Sequence, residues 1–125
     1  MAFPTLMSDS PRRLAVPPEL ARYAVDLASH GIHELAWPRA AVLALLQRIE
    51  PAGLVILGGD ALSSVAPPAY ANANWHVAPR TGEEPLAYSA RSCRAARKYI
   101  EQYPEPNAWF VLVLRHAIID LEAAT

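Results

Sequence analysis

The chain carries few side chains able to do chemistry, and their spacing decides which chemistry is open to them. Asp60 comes first, because it closes the run Leu54-Val55-Ile56-Leu57-Gly58-Gly59-Asp60. Four branched apolar residues followed by two glycines read as a buried strand that ends abruptly, with Pro51 and Gly53 marking its start. Asp60 is then expected at the strand's rim. A carboxylate there can act as a catalytic acid in a rim pocket with His76 or Tyr70. It can equally accept backbone N–H bonds and fix a turn, which is the commoner use of aspartate. Gly58 and Gly59 permit a sharp turn or the close approach of a neighbouring element. They do not make a phosphate loop, which ends in Gly-Lys-Ser/Thr before a helix, nor a dinucleotide fingerprint with three spaced glycines.

The four histidines are His30, His33, His76 and His116. His30 and His33 straddle Gly31, a helix breaker, so they lack the fixed i, i+4 geometry of a helical ligand pair and read as exposed or capping residues. Cys93 is the single cysteine. There is neither a disulfide framework nor a cysteine metal set, and no metal or other cofactor is expected. Cys93 falls on the apolar stripe of a predicted helix and reads as a small core residue. Arg91, Arg94 and Arg97 would activate it only if they faced it, and their helical direction turns them elsewhere. Ser63, Ser64, Ser89 and Ser92 lack the Gly-x-Ser-x-Gly context of a nucleophile elbow. No triad signature is present, and a non-enzymatic role is expected.

The elements that position these residues follow from periodicity and punctuation. Residues 1–16, with Pro4, Ser8, Asp9, Ser10 and Pro11, read as a flexible leader, and residues 17–125 as a single domain. A first helix is predicted from Pro17-Pro18-Glu19 through the stripe Leu20, Tyr23, Ala24, Leu27 and Ala28, capped by Gly31. Residues 32–37 form a connector. Pro38 opens a second helix to about Ile49, with Val42, Leu45, Leu46 and Ile49 buried and Arg39, Gln47 and Arg48 in water. The strand at 54–58 follows, then a loop over 61–74 containing Pro67-Pro68, then a short strand at Asn74-Trp75-His76-Val77. Residues 79–85 make a polar turn. A third helix is predicted over about 88–102, with Cys93, Ala96, Ile100 and Tyr103 on its apolar face and Arg91, Arg94 and Lys98 on another. Trp109-Phe110-Val111-Leu112-Val113-Leu114 is the strongest strand, central or covered on both faces. The tail after Arg115 fits either an extension of that strand or a short helix through Ile118, Ile119 and Leu121. Trp75 and Trp109 are assigned to the core, and Trp37 is placed to staple the second helix onto the sheet. The fold class is α+β: a small, mainly antiparallel sheet of about three strands packed with three helices.

Composition narrows the function classes. An apolar fraction of 53% with 18% charged residues specifies a globular chain with a hydrophobic core. A formal net charge of −1 gives no basic excess for nucleic acid or an anionic membrane surface. Apolar runs fall far short of the roughly 20 residues of a membrane span. Arg12 and Arg13 follow the N-terminal apolar residues, the reverse of a signal peptide, so a cytoplasmic protein is expected.

In these residues the chain resembles the immunity protein 40 family of bacterial polymorphic toxin systems. The resemblance is an ordered set of patterns over roughly residues 27–114. It runs from Gly31 and Glu34-Leu35-Ala36-Trp37, through Ile56-Leu57-Gly58-Gly59-Asp60, to Asn74-Trp75. It continues with Ser92 and Lys98-Tyr99-Ile100 and ends at Phe110-Val111-Leu112-Val113. The leader and the tail after Leu114 lie outside it. The resemblance implies a small α+β protein that protects the producing cell by binding and blocking a cognate toxin, with no catalytic residues of its own. Toxin specificity needs residues free to differ, which loops on a rigid scaffold supply. The candidates are the loop 63–72 with Tyr70, the turn with Arg80, Glu83 and Glu84, and the basic residues Arg91, Arg94 and Lys98. Trp37, Gly58, Gly59, Asp60, Asn74 and Trp75 are expected to be structural.

Overall fold

The computed structural model describes residues 10–121. Its elements in chain order are β1 (Arg12–Ala15), α1 (Pro18–Ala21), β2 (Val25–Asp26), a 3-10 turn (Leu27–His30), β3 (Leu35–Pro38) and α2 (Arg39–Ile49). Then come β4 (Ile56–Val65), β5 (Pro68–His76), α3 (Pro85–Gln102), β6 (Trp109–Leu114) and β7 (Ala117–Asp120). Five strands form one antiparallel sheet in the order β2-β3-β6-β4-β5, and β1 pairs with β7 in parallel as a separate two-stranded ribbon. The fold class is α+β as expected, with more strands than the expected three.

Both long helices lie on one face of the sheet, for the reason their stripes predict. Val42, Leu45, Leu46 and Ile49 of α2 and Cys93, Ala96 and Ile100 of α3 are buried together with Trp37, Ile56, Ala61 and Phe110. The opposite face has a smaller core of Leu27, Ala36, Leu62 and Val111, with Val25, Ile32, Val65 and Trp109 packed on it. β6 is the middle strand, as its apolar sequence requires, although Val113 is left exposed on it. α3 begins three residues before the expected start, with Pro85 in its first turn.

Several elements differ from the sequence expectation. The predicted first helix lasts only one turn. Asp26 accepts the Ala28 N–H at 2.9 Å and caps a new 3-10 turn, while Val25 and Asp26 pair with Ala36 and Leu35. Leu20 and Leu27 are both buried, but in different clusters, and Tyr23 of the supposed stripe is exposed. Gly31 does cap the segment, at φ 78°. The connector 32–37 holds the first three residues of β3, which ends at Pro38. The largest correction concerns residues 54–74. The strand does not stop at the glycines; it runs through Gly58-Gly59-Asp60 to Val65 and returns as β5 across a cis Ala66-Pro67 peptide. The expected loop 61–74 is therefore two paired strands, and Asp60 sits mid-strand between Asn74 and Val111 rather than at a rim or turn. Of the expected leader, residues 12–15 form β1, Val16 is buried, and residues 1–9 lie outside the described residues. In the tail, Ala117–Asp120 form β7 after a bend in which His116 takes φ 50°, and residues 122–125 lie outside the described residues.

Candidate partner-binding surface

The glycine pair is where the sheet is built tightest. Gly58 and Gly59 lie between β5 and β6, and β4 bulges at Leu57, since Ile56 faces Leu114 but Gly58 faces Val113. A Cβ on Gly58 would strike the Trp75 carbonyl. One on Gly59 would strike the Val111 carbonyl and the Trp75 ring. The Trp75 indole lies across Gly59 and stacks on Tyr99 of α3 at 4.5 Å between centroids. Glycine is thus required by close approach and not by a turn. Trp75 is partly buried, and its Nε1 is buried without a hydrogen-bond partner among the described residues.

Two buried serines that sequence reasoning set aside as non-catalytic fix α3 to the sheet. Ser92 Oγ accepts the Ile56 N–H at 2.9 Å and donates to the Ser89 carbonyl at 2.8 Å, and Ser89 Oγ donates to the Leu54 carbonyl at 2.6 Å. Their apolar neighbours at three- and four-residue spacing were the available signal. Arg39, expected in water, instead reaches the end of α3, where its guanidinium donates to the carbonyls of Ile100, Tyr103 and Glu105. The Ile100 and Tyr103 carbonyls are groups a helix C-terminus leaves unpaired, and Glu105 lies in the turn that follows.

The expected contact residues separate into two sets on opposite faces of the sheet. Tyr70 lies opposite Leu62, on the face that carries Asp60 and Val111, and donates its hydroxyl to Glu34 Oε1 at 2.9 Å. Partial burial, then the hydrogen bond and charge of Glu34, then the charge of Asp60, push the Tyr70 phenol up to about 12. The second set surrounds the start of α3. Arg91 grips Glu83 with two hydrogen bonds, of 2.8 and 2.7 Å, and also donates to the Ala78 carbonyl at 2.6 Å. Glu83 further accepts the Arg80 N–H at 3.1 Å. The Arg91 bond holds the Glu83 carboxyl down at about 2, with the Arg80 N–H assisting. Arg91 and Glu83 are therefore spent on fixing the turn before α3. Arg80, Glu84, Arg94 and Lys98 are exposed.

The remaining chemistry-bearing residues stay dispersed. All four histidines are exposed, and no group of three or more His, Cys, Asp or Glu able to hold a metal occurs among the described residues. Cys93 is buried in the core, and that burial, followed by the charge of Glu50, pushes its thiol up. A cavity of about 600 Å³ opens beside His33, Glu34, Leu112, Ala117 and Asp120, and an apolar groove of about 960 Å³ runs between Leu14, Leu20, Tyr23 and the outer side of α2 at Ala40 and Ala44. Neither is lined by Asp60, Tyr70 or His76, the residues of the supposed rim pocket. Among the described residues, no helix is long and apolar enough to cross a membrane.

No curated protein and no solved structure matches the chain. The family model for immunity protein 40 matches residues 26–114, from β2 to the end of β6. That span is well over half of the chain and takes in the whole five-stranded sheet except Val25, with both long helices. This chain belongs to the immunity protein 40 family.

Proposed function

We propose that the chain is a bacterial immunity protein that neutralises a cognate toxin by binding it directly, in the cytoplasm of the cell that makes the toxin. The observation that carries this reading is the family match across both long helices and almost the whole main sheet. A rigid sheet backed by two helices, with exposed side chains at the β4–β5 hairpin and on α3, is a scaffold of the kind on which specificity can vary without cost to the core.

Tyr70, Arg80, Glu84, Arg94 and Lys98 are the proposed contacts. Arg91 and Glu83 act behind them by holding the turn in place. Tyr70 and Arg94 are of the types that anchor interfaces, and because they lie on opposite faces of the sheet each marks a separate candidate contact region. Tyr70→Ala or Arg94→Glu is expected to weaken toxin binding by about 1 kcal/mol or more while leaving the melting temperature unchanged. A binding titration and a melt on each variant check this. The function itself is tested by co-expressing the chain with the toxin encoded by the adjacent gene and purifying either one. Recovery of a stable complex is expected, and recovery of the two proteins separately would remove the reading.

A further inference from the structure

Among the described residues, β5 is a free edge of the five-stranded sheet, with β4 as its one strand neighbour. An edge strand offers a row of unpaired backbone donors and acceptors, and proteins ordinarily blunt it with charge, proline, bulges or a cover. β5 is only half blunted. Pro68 stands at its start, and a two-residue irregularity at Ala71-Asn72, with Asn72 at φ 58°, distorts its first half. From Ala73 to Val77 the chain is in regular register, with no proline, lysine, arginine, aspartate or glutamate.

The ladder shows which groups point outward. The Val77 N–H bonds the Leu57 carbonyl at 2.9 Å. In an antiparallel pair, alternate residues turn their N–H and C=O toward the neighbour. Trp75 and Ala73 therefore face β4, and Asn74 and His76 face away from it. Neither Asn74 nor His76 makes a backbone hydrogen bond on that outer side among the described residues, and both are exposed.

The flank above this edge is net positive, with the exposed Arg94 and Lys98 against one exposed carboxylate, Glu101. Tyr99 of α3 stacks on Trp75, and Ala95 packs into the same region. At about 100° per residue, Lys98 and then Arg94 follow round from Ala95, away from the Cys93–Ile100 flank that meets α2. Both are exposed. A second copy pairing through β5 about a two-fold axis would bring two such flanks together on one side of the joined sheet, with like charges opposed. A strand from another protein with acidic side chains on that side would meet them favourably.

Resting on the immunity reading, we infer that the β5 edge at Ala73–Val77 receives an extended segment of the toxin by strand addition, with acidic side chains of that segment or its flank against Arg94 and Lys98. Backbone pairing supplies the affinity in this mode, and the flanking side chains supply the choice of partner.

Amide hydrogen exchange on the unaltered chain, alone and with the toxin encoded by the adjacent gene, tests this. Exchange of the Asn74 and His76 amides should slow by about tenfold or more in the complex, while those of Trp75 and Val77, already bonded to β4, are slow in both states. Asn74→Pro removes an outward donor without cutting the β4 ladder and should weaken binding by about tenfold. Lys98→Glu should weaken it with an altered salt dependence. A complex in which the two amides exchange as in the free chain, and to which Asn74→Pro and Lys98→Glu bind like the parent, overturns the edge assignment and leaves the immunity reading standing. Protection of the same amides in the chain alone, rising with its concentration, assigns the edge to a second copy and also overturns it. Absence of any complex overturns both.

Discussion

At the scale of single residues, the most constrained position is Gly59. Its place under the Trp75 ring and against the Val111 carbonyl leaves no volume for a side chain. Gly59→Val is expected to destabilise the fold by about 1–3 kcal/mol through overpacking. Trp75→Ala should cost about 3 kcal/mol, the lower end for a large aromatic because Trp75 is only partly buried. Chemical denaturation of both variants checks these values, and unchanged midpoints would refute the packing argument. Glu83 gives a pH prediction. Its carboxyl is held down at about 2, chiefly by the hydrogen bond from Arg91. A depressed carboxylate contributes stability that is fully present above its ordinary value of 4.5 and is lost as pH falls through about 2. A melting series below pH 5 should show that loss in the parent and a smaller one in Glu83→Gln. The Glu83 carboxyl, followed by NMR, should titrate near the bottom of that range.

Among the elements, α3 is the one whose attachment is most specific. Ser92 satisfies the Ile56 N–H just where β4 begins, inside the core. Ser92→Ala leaves that donor buried and unpaired, which costs about 1–3 kcal/mol. Urea unfolding measures it, and a cost near zero would mean that Ile56 finds another acceptor. Much of this level was legible in the sequence. The stripes of α2 and α3 and the run at Trp109–Leu114 are strong periodic or compositional signals, and each appears within a few residues of its expected place. Residues 61–74 were not legible, because Pro67-Pro68, five alanines and two asparagines carry the composition of a loop. Their pairing is set by β4 beneath them and by Trp75 at the far end. β2 and β3 were missed because two- and four-residue strands are too short to show alternation. The candidate surface was legible by residue type only. Nothing local in Tyr70 or Arg94 states that the sheet lies between them, and Arg39 looked solvated because its carbonyl partners are more than sixty residues away in sequence.

For the whole molecule, the family match covers the main sheet and both long helices and leaves out the parallel β1–β7 ribbon. The match spans residues 26–114, while β1 and β7 lie outside it and pair with each other, from Arg12 opposite Ala117 to Ala15 opposite Asp120. The ribbon brings Leu14, Ala117 and Ile119 against the main core, so the outlying segments add to that core. In the proposed function this assembled molecule blocks a toxin by binding it. The measurement that addresses this proposal most directly is growth of cells in which the toxin of the adjacent gene is induced, with this chain, with its Gly59→Val variant, or with neither. Normal growth is expected with the parent chain, weaker protection with the destabilised variant, and arrest without either. Equal arrest in all three cultures, with the parent chain present and folded, would contradict the proposal.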